Sequence, residues 1–281
     1  MRATAERTWA KAYRGGAPAP PDTWQGGDMC GRYASARNKQ ELLEEFEVEV
    51  DGAAEEELGP DYNVAPTKPV YAVMSRVPKN NPEGRAVRQL QILRWGLVPA
   101  WAKDPSIGSK MINARVETVA EKPSYRKAFA GRRCLLPADG YFEWAVSEGA
   151  GTAKKPKKQP YFIQPADGGV MAMAGLYEFW RDRGRADDDP LAWLVTCAVI
   201  TTSALDEAGK IHDRMPMLIE RDRWAEWLDP GVPDAHDFLI PAGATGLKAY
   251  PVSTAVNSVR NNGPELVEPL KEEEGDGRAL F

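Results

Sequence analysis

The chain has 281 residues, 43% of them apolar and 9% aromatic, with 36 basic against 41 acidic side chains. At about 150 residues per domain this is one large domain or two small ones, and its best apolar run, Leu194 to Ile200 with Thr196 inside it, is far below the roughly 18 residues that cross a bilayer. A net charge of −5 argues against a polyanion binder that works through a general excess of Lys and Arg, although charge can be segregated.

Cys30, Cys134 and Cys197 are widely separated, and neither C-x-x-C nor H-x3-H occurs. That excludes a zinc finger and a disulfide framework, so no metal and no cofactor is expected, in a reducing, cytoplasmic setting. Residues 1–28 carry Gly15-Gly16, Pro18, Pro20-Pro21 and Gly26-Gly27 among alanines, without apolar periodicity, which reads as a disordered leader. Gly26-Gly27-Asp28 would be encoded by GGN-GGN-GAY just ahead of Met29, like a bacterial ribosome-binding sequence, so a misassigned start is the alternative expectation.

From Cys30 onward the pattern is mixed. Asn38-Lys39-Gln40-Glu41 opens a helix with Leu42, Leu43 and Phe46 on one face. Strands are expected at Val70–Arg76, Leu90–Val98, Cys134–Val146, Pro160–Gln164, Val170–Trp180 and Trp193–Thr202, where β-branched and aromatic residues concentrate. Helices are expected at Thr118–Ala130, Leu205–Ile211 and Arg221–Leu228, and hairpin loops at Ala153–Gln159 and Asp182–Pro190. Strands outnumber helices without a βαβ rhythm, which predicts an α+β fold with a largely antiparallel, barrel-like β core and peripheral helices. The acidic tail 271–281 is expected to fray.

Four segments could carry chemistry. In Met29-Cys30-Gly31-Arg32-Tyr33, removal of Met29 would leave Cys30 first in the chain. Its α-amine, with a pKa of about 7.7–8.0 against about 10.4 for lysine, would be partly neutral at pH 7 and able to form an imine with an aldehyde. The thiol on the next carbon could then close a five-membered thiazolidine. On this segment alone, the reading to be preferred is an ordinary buried small hydrophobe. In Ile112-Asn113-Ala114-Arg115-Val116-Glu117-Thr118, Asn113 could bond a sugar or an amine, Arg115 could fork onto a phosphate, and Thr118 could cap a helix with Glu121. The alternative is a loop that satisfies its own backbone.

In Asp139-Gly140-Tyr141-Phe142-Glu143-Trp144, alternation sets Glu143 on the face opposite Phe142 and Trp144. A carboxylate among apolar neighbours suits proton transfer near neutrality, whereas a solvent-facing glutamate would not. In Ile211-His212-Asp213-Arg214-Met215-Pro216, His212 could serve as acid or base, or sit solvated beside an Asp213 and Arg214 pair. His236 reads as a bystander.

Taken together and in this order, these segments, with Tyr62-Asn63-Val64-Ala65-Pro66 and Trp95-Gly96-Leu97-Val98-Pro99, resemble the SOS response-associated peptidase (SRAP) family over about residues 29–270. The resemblance implies one catalytic domain over 29–270 that captures abasic sites in single-stranded DNA, and possible autoproteolytic exposure of Cys30. It implies that Cys30 is the nucleophile, that Asn113 hydrogen-bonds in the site, that Glu143 orients or deprotonates the α-amine, and that His212 assists sugar-ring opening and reversal. Arg32, Arg115 and Arg214 match phosphate-contacting positions, and Trp95 and Trp144 lie in motifs that shape the DNA-facing surface. The expected partner is abasic single-stranded DNA, with no membrane, for a monomer that joins the nucleoid when bound. The reading from another class is an N-terminal-nucleophile cysteine hydrolase or protease acting on amides, with Cys30 attacking and His212 or Glu143 as base. As written, Cys30 is internal, its nitrogen is an amide, and imine formation requires its exposure.

Overall fold

In the computed structural model, the described residues are 31–78, 84–146, 158–204, 206–232, 235–239 and 246–271. The expected leader 1–28, Cys30, the lysine-rich stretch 153–157 and residues 272–281 of the tail lie outside them. Five strands close into a barrel: β4 (Pro69–Arg76), β5 (Val87–Trp95), β7 (Arg133–Ala138), β10 (Met171–Arg181) and β11 (Trp193–Ser203). Four of the five junctions are antiparallel, and the ring is sealed by a short parallel pairing of β11 with β5 at Thr196↔Arg94 and Cys197↔Trp95. The expected α+β fold with a largely antiparallel barrel core is therefore what forms.

A closed ring sorts its side chains by alternation. One set, including Val73, Leu90, Leu135, Ala174, Ala198 and Ile200, packs against Leu42 and Phe46 of α1 (Lys39–Glu45), Phe129 of α2 (Arg126–Gly131), and Trp224 and Trp227 of α4 (Trp224–Leu228). Helices cover a barrel from outside, so this is the outward face. The inward set, including Met74, Leu93, Trp95, Leu136, Tyr177 and Cys197, joins Tyr33, Tyr141 and Ile163 from a second sheet that stands against the barrel.

That sheet runs in the order β13 (Leu247–Pro251), β9 (Lys158–Pro165), β8 (Gly140–Val146), β1 (Tyr33–Ser35), β3 (Asp61–Val64). Its far face, with Ala34, Phe142 and Phe162, is covered by Val256 and Leu266 of the C-terminal turns.

Local chemistry explains where the elements begin and end. Asn38 caps α1 by accepting from the Glu41 N–H at 2.9 Å, as its position ahead of Leu42 and Phe46 predicts. The expected strand Cys134–Val146 is two strands: the chain leaves the barrel at Asp139, whose carboxylate accepts from the Ala36 N–H at 2.6 Å and from Arg37 at 3.0 Å, and enters the second sheet as β8. The expected helix Thr118–Ala130 is corrected to α2 alone. Pro123 supplies no N–H for a continuous helix, residues 116–122 form turns, and the buried Thr118 hydroxyl caps nothing. Arg221–Leu228 divides into a 3-10 turn, Arg221–Arg223, and α4, whereas α3 (Asp206–Ile211) falls where a helix is expected.

Candidate functional site

Strand pairings and one helix set the positions of the sequence-predicted residues. β1 pairs with β8 at Tyr33↔Tyr141, and the Phe142 N–H donates to the Arg32 carbonyl at 3.0 Å. Carried one residue further, this register sets Gly31, the residue to which Cys30 is joined, level with Glu143. Glu143 is only 5% exposed, and alternation puts it on the Tyr141 side, away from Phe142 and Trp144. A solvent-facing role for this carboxylate is thereby excluded.

Asn113 lies on β6 (Asn113–Arg115), which runs parallel to β11 at Val199↔Asn113 and Thr201↔Arg115. The Asn113 carbonyl accepts from the Tyr125 hydroxyl at 3.0 Å. On its other side β11 pairs with β12 (Arg214–Pro216), through Ser203↔Arg214 and Thr201↔Pro216. His212 follows α3, which packs against β8, β12 and β13. Tyr33, Ile112 and Ile211, chain neighbours of Arg32, Asn113 and His212, pack in the inward cluster, as does Tyr141, two residues before Glu143.

His212 is 26% exposed in its side chain, and Nδ1 accepts from the Arg214 N–H at 3.1 Å. Asp213 Oδ1 lies 3.0 Å from the same nitrogen. Arg214 is occupied: Nη1 and Nη2 fork onto the Glu117 carboxylate, and Nη2 also reaches the Thr201 carbonyl at 2.6 Å. That fork holds the Glu117 carboxyl below its ordinary range. Arg115, in contrast, is exposed.

Two residues expected at the DNA-facing surface are buried. Arg32 is 3% exposed, and Nη1 donates to Asn63 Oδ1 at 2.7 Å and to the Val256 carbonyl at 3.0 Å. Asn63 in turn donates to the carbonyls of Ser258 and Asn261 at 2.9 and 3.0 Å, so the pair anchors the C-terminal turns. Burial pushes the Arg32 guanidinium down to about 10, with Asp61 partly opposing. Trp95 is 1% exposed, with its indole N–H given to the Ile112 carbonyl at 3.0 Å, and offers no surface to a ligand. Trp144 is partly exposed but stands on the face of β8 away from Glu143, bonded to Asn257 at 2.7 Å.

Sequence reasoning passed over two residues. Glu117 sits in the Asn113 motif yet its pairing with Arg214 crosses 97 positions, and nothing local announces it. Trp101 is 59% exposed, on the loop that follows Pro99, and the signal available was a second tryptophan just beyond a Gly and Pro turn. His236 lies edge-on to Phe129 of α2, with ring centroids 5.8 Å apart. Among the described residues no group of three or more His, Cys, Asp or Glu converges to hold a metal.

The family model for SOS response associated peptidases (SRAP) matches residues 29–259. The abasic site processing protein YoqW of Bacillus subtilis is 39% identical over 244 residues, covering 85% of this chain and 99% of that protein. YedK of Escherichia coli, of the same description, is 32% identical over 248 residues, covering 86% and 100%. Among solved structures, a protein from Bacteroides thetaiotaomicron superposes with a TM-score of 0.69 at 25% identity, covering 85% of this chain and 99% of its own.

Proposed function

This chain belongs to the SOS response associated peptidase family, and from that membership we propose that it processes abasic sites in DNA by covalent capture in single strands through Cys30. The observation that carries the reading is the register that sets Gly31 level with the buried Glu143. A carboxylate so placed suits proton traffic at an α-amine one residue away.

The chemistry follows from the residue types. The neutral α-amine of Cys30 adds to the C1′ aldehyde of the ring-opened deoxyribose, and water leaves to give an imine. The thiol then adds to the imine carbon while its proton passes to nitrogen, closing a thiazolidine that resists hydrolysis better than the imine. Glu143 takes the amine proton, His212 assists ring opening and reversal, Asn113 bonds the sugar, and Arg115 meets a phosphate. Cys30 must be the first residue for this, whether by initiation at Met29 or by cleavage after it. The protein acts as a monomeric catalytic domain over 29–270, in the cytoplasm and on the nucleoid. The family description as peptidases supports a second reading, a cysteine hydrolase that turns over amides.

The test is incubation of Met29–Phe281, after Met removal, with single-stranded DNA in which uracil has been converted to an abasic site. A denaturation-resistant adduct that disappears in Cys30→Ala is expected, with slower capture or altered reversal in Glu143→Gln and His212→Ala. No adduct, or an undiminished one with Cys30→Ala, sinks the proposal; catalytic turnover of peptides without an adduct favours the hydrolase.

A further inference from the structure

β6, with Asn113, and β12, preceded by His212, flank β11 on opposite sides and share Thr201 as a register partner. The Arg214 side chain crosses that strand. It bonds the Thr201 carbonyl, which already accepts the Val116 N–H at 2.9 Å, and forks onto Glu117, two residues beyond Arg115. A fork of this kind fixes direction as well as distance, which a point charge does not. One arginine therefore ties the Asn113 segment to the His212 turn.

The backbone of the same arginine reads out on the imidazole. An Nδ1 that accepts the Arg214 N–H carries no proton, so the neutral ring keeps its proton on Nε2. Asp213 Oδ1, on a side chain 87% exposed, becomes an acceptor only when Nδ1 is protonated as well. The Arg214 N–H meets Nδ1 only while β12 starts in its present register. Without Glu117, Arg214, 11% exposed in its side chain, would be left as a largely buried charge lacking its carboxylate and driven toward solvent.

We propose that Glu117 is a positioning residue, whose forked pairing with Arg214 locks the His212 turn against the Asn113 strand and holds His212 as the Nε2–H tautomer. The inference rests on the proposed function for its consequence, because an Nε2–H imidazole enters the reaction able to donate a hydrogen bond to the sugar ring oxygen.

The competing role for Arg214 is a phosphate contact, and the two roles make opposite statements about Glu117. If Glu117 only competes with phosphate, its removal frees Arg214 and DNA binding tightens. If it positions, its removal slows chemistry without tightening binding. The experiment takes Met29–Phe281 after Met removal, labelled with 15N at its two histidines and assigned with His236→Gln, and reads the tautomer of His212 by long-range proton–nitrogen correlation. In parallel, affinity for single-stranded DNA with a tetrahydrofuran abasic analogue and the single-turnover rate of adduct formation are measured. Wild type is expected in the Nε2–H form. Glu117→Ala is expected to show mixed tautomers and capture about tenfold slower at unchanged or weaker affinity, with Glu117→Gln recovering most of the rate.

An unaltered tautomer and rate in Glu117→Ala, or tighter binding at an unaltered rate, overturns the proposal. Should Glu117→Ala fail to fold, Arg214→Lys decides: a lysine keeps the charge but not the fork, so mixed tautomers support positioning and a wild-type spectrum refutes it. A wild type that forms no adduct defeats the proposed function alone, because the tautomer comparison needs no DNA.

Discussion

Gly96 and Gly108 lie backbone against backbone: a Cβ added to either would stand 2.5 Å from the carbonyl oxygen of the other. Gly96 also holds φ at +121°, which side-chain-bearing residues rarely adopt. The contact fixes the turn after Trp95, where the Gly96 N–H bonds the Cys197 carbonyl at 2.8 Å and the Leu97 N–H bonds the Met111 carbonyl at 3.0 Å, two residues before Asn113. Gly96→Ala adds backbone strain to a clash with a rigid neighbour and should cost about 3 kcal/mol or more. Gly108→Ala meets the clash alone and should cost less. Urea unfolding of both variants checks the order, and equal stability of Gly96→Ala and wild type would refute the account.

Arg133 holds the ends of two helices. It is 2% exposed and gives Nε to the Trp227 carbonyl at 2.7 Å, Nη1 to those of Phe129 and Ala130 at 2.8 and 3.2 Å, and Nη2 to that of Val232 at 2.9 Å. The carbonyls of Trp227, Phe129 and Ala130 lie in the last turns of α4 and α2, where acceptors lack partners and the helix dipole is negative. The guanidinium also sits 5.6 Å from the Trp227 ring. Arg133→Ala strands several buried carbonyls and should cost about 3 kcal/mol or more. Arg133→Lys has the charge without the fork and should recover less than half of that; a lysine variant as stable as wild type would show that charge alone suffices.

Burial withholds several acidic protons. It pushes the Tyr125 and Tyr177 hydroxyls up to about 12, and raises those of Tyr33 and the thiols of Cys134 and Cys197 as well. Below about pH 7.5 these groups are neutral in both states and add no pH dependence. Above it the unfolded chain ionises first, the thiols from about pH 8.5 and the tyrosines from about 10, and binds fewer protons, so stability falls as pH rises from about 8 toward 12. Urea midpoints should decline over that window, and the tyrosinate absorbance of these buried rings should appear with unfolding. Full tyrosine ionisation near pH 10 in a still-folded chain would contradict it.

How much of this was readable in advance depended on the reach of each interaction. The Asn38 cap and the long strands β10 and β11 announce themselves, because capping chemistry and β-branched runs act within a few residues. β1, β6 and β12 have three residues each and exist through pairing with β8 and β11, partners remote in sequence. Glu143 followed from alternation with Phe142. Trp95 was open to the same reasoning, since it shares a strand face with Leu93, but an aromatic in a polar motif reads as surface when the closing partner, Cys197, is 102 positions away. Pro123 was visible and should have cut the helix expected at Thr118.

Arg32 and Arg115, both matched to phosphate contacts by sequence, should now separate in experiment. Arg32 is buried on Asn63 and Val256, so Arg32→Ala should lower stability by about 2 kcal/mol or more. The salt dependence of DNA binding by the folded fraction should be unchanged. Arg115 is exposed, so Arg115→Ala should leave unfolding alone, weaken binding, and reduce the salt slope by about one unit. Salt titrations of binding on both variants decide, and a slope lowered by Arg32→Ala would return it to the interface.

Trp101 is the most exposed tryptophan among the described residues. Its indole is 59% exposed, yet its loop is pinned: the Val98 N–H bonds Thr196 Oγ1, and Trp180 Nε1 bonds the Ala102 carbonyl, both at 2.8 Å. The bond from Leu97 to Met111 returns the loop beside the Asn113 strand. A solvent-facing ring on an anchored backbone is available for stacking, and base stacking on such a ring is worth about 1–3 kcal/mol. On the proposed function, Trp101→Ala should weaken single-stranded DNA binding by about fivefold or more, Trp101→Phe should retain most of the affinity, and neither should shift the unfolding midpoint. Equal affinities for wild type and Trp101→Ala would remove this ring from the binding surface.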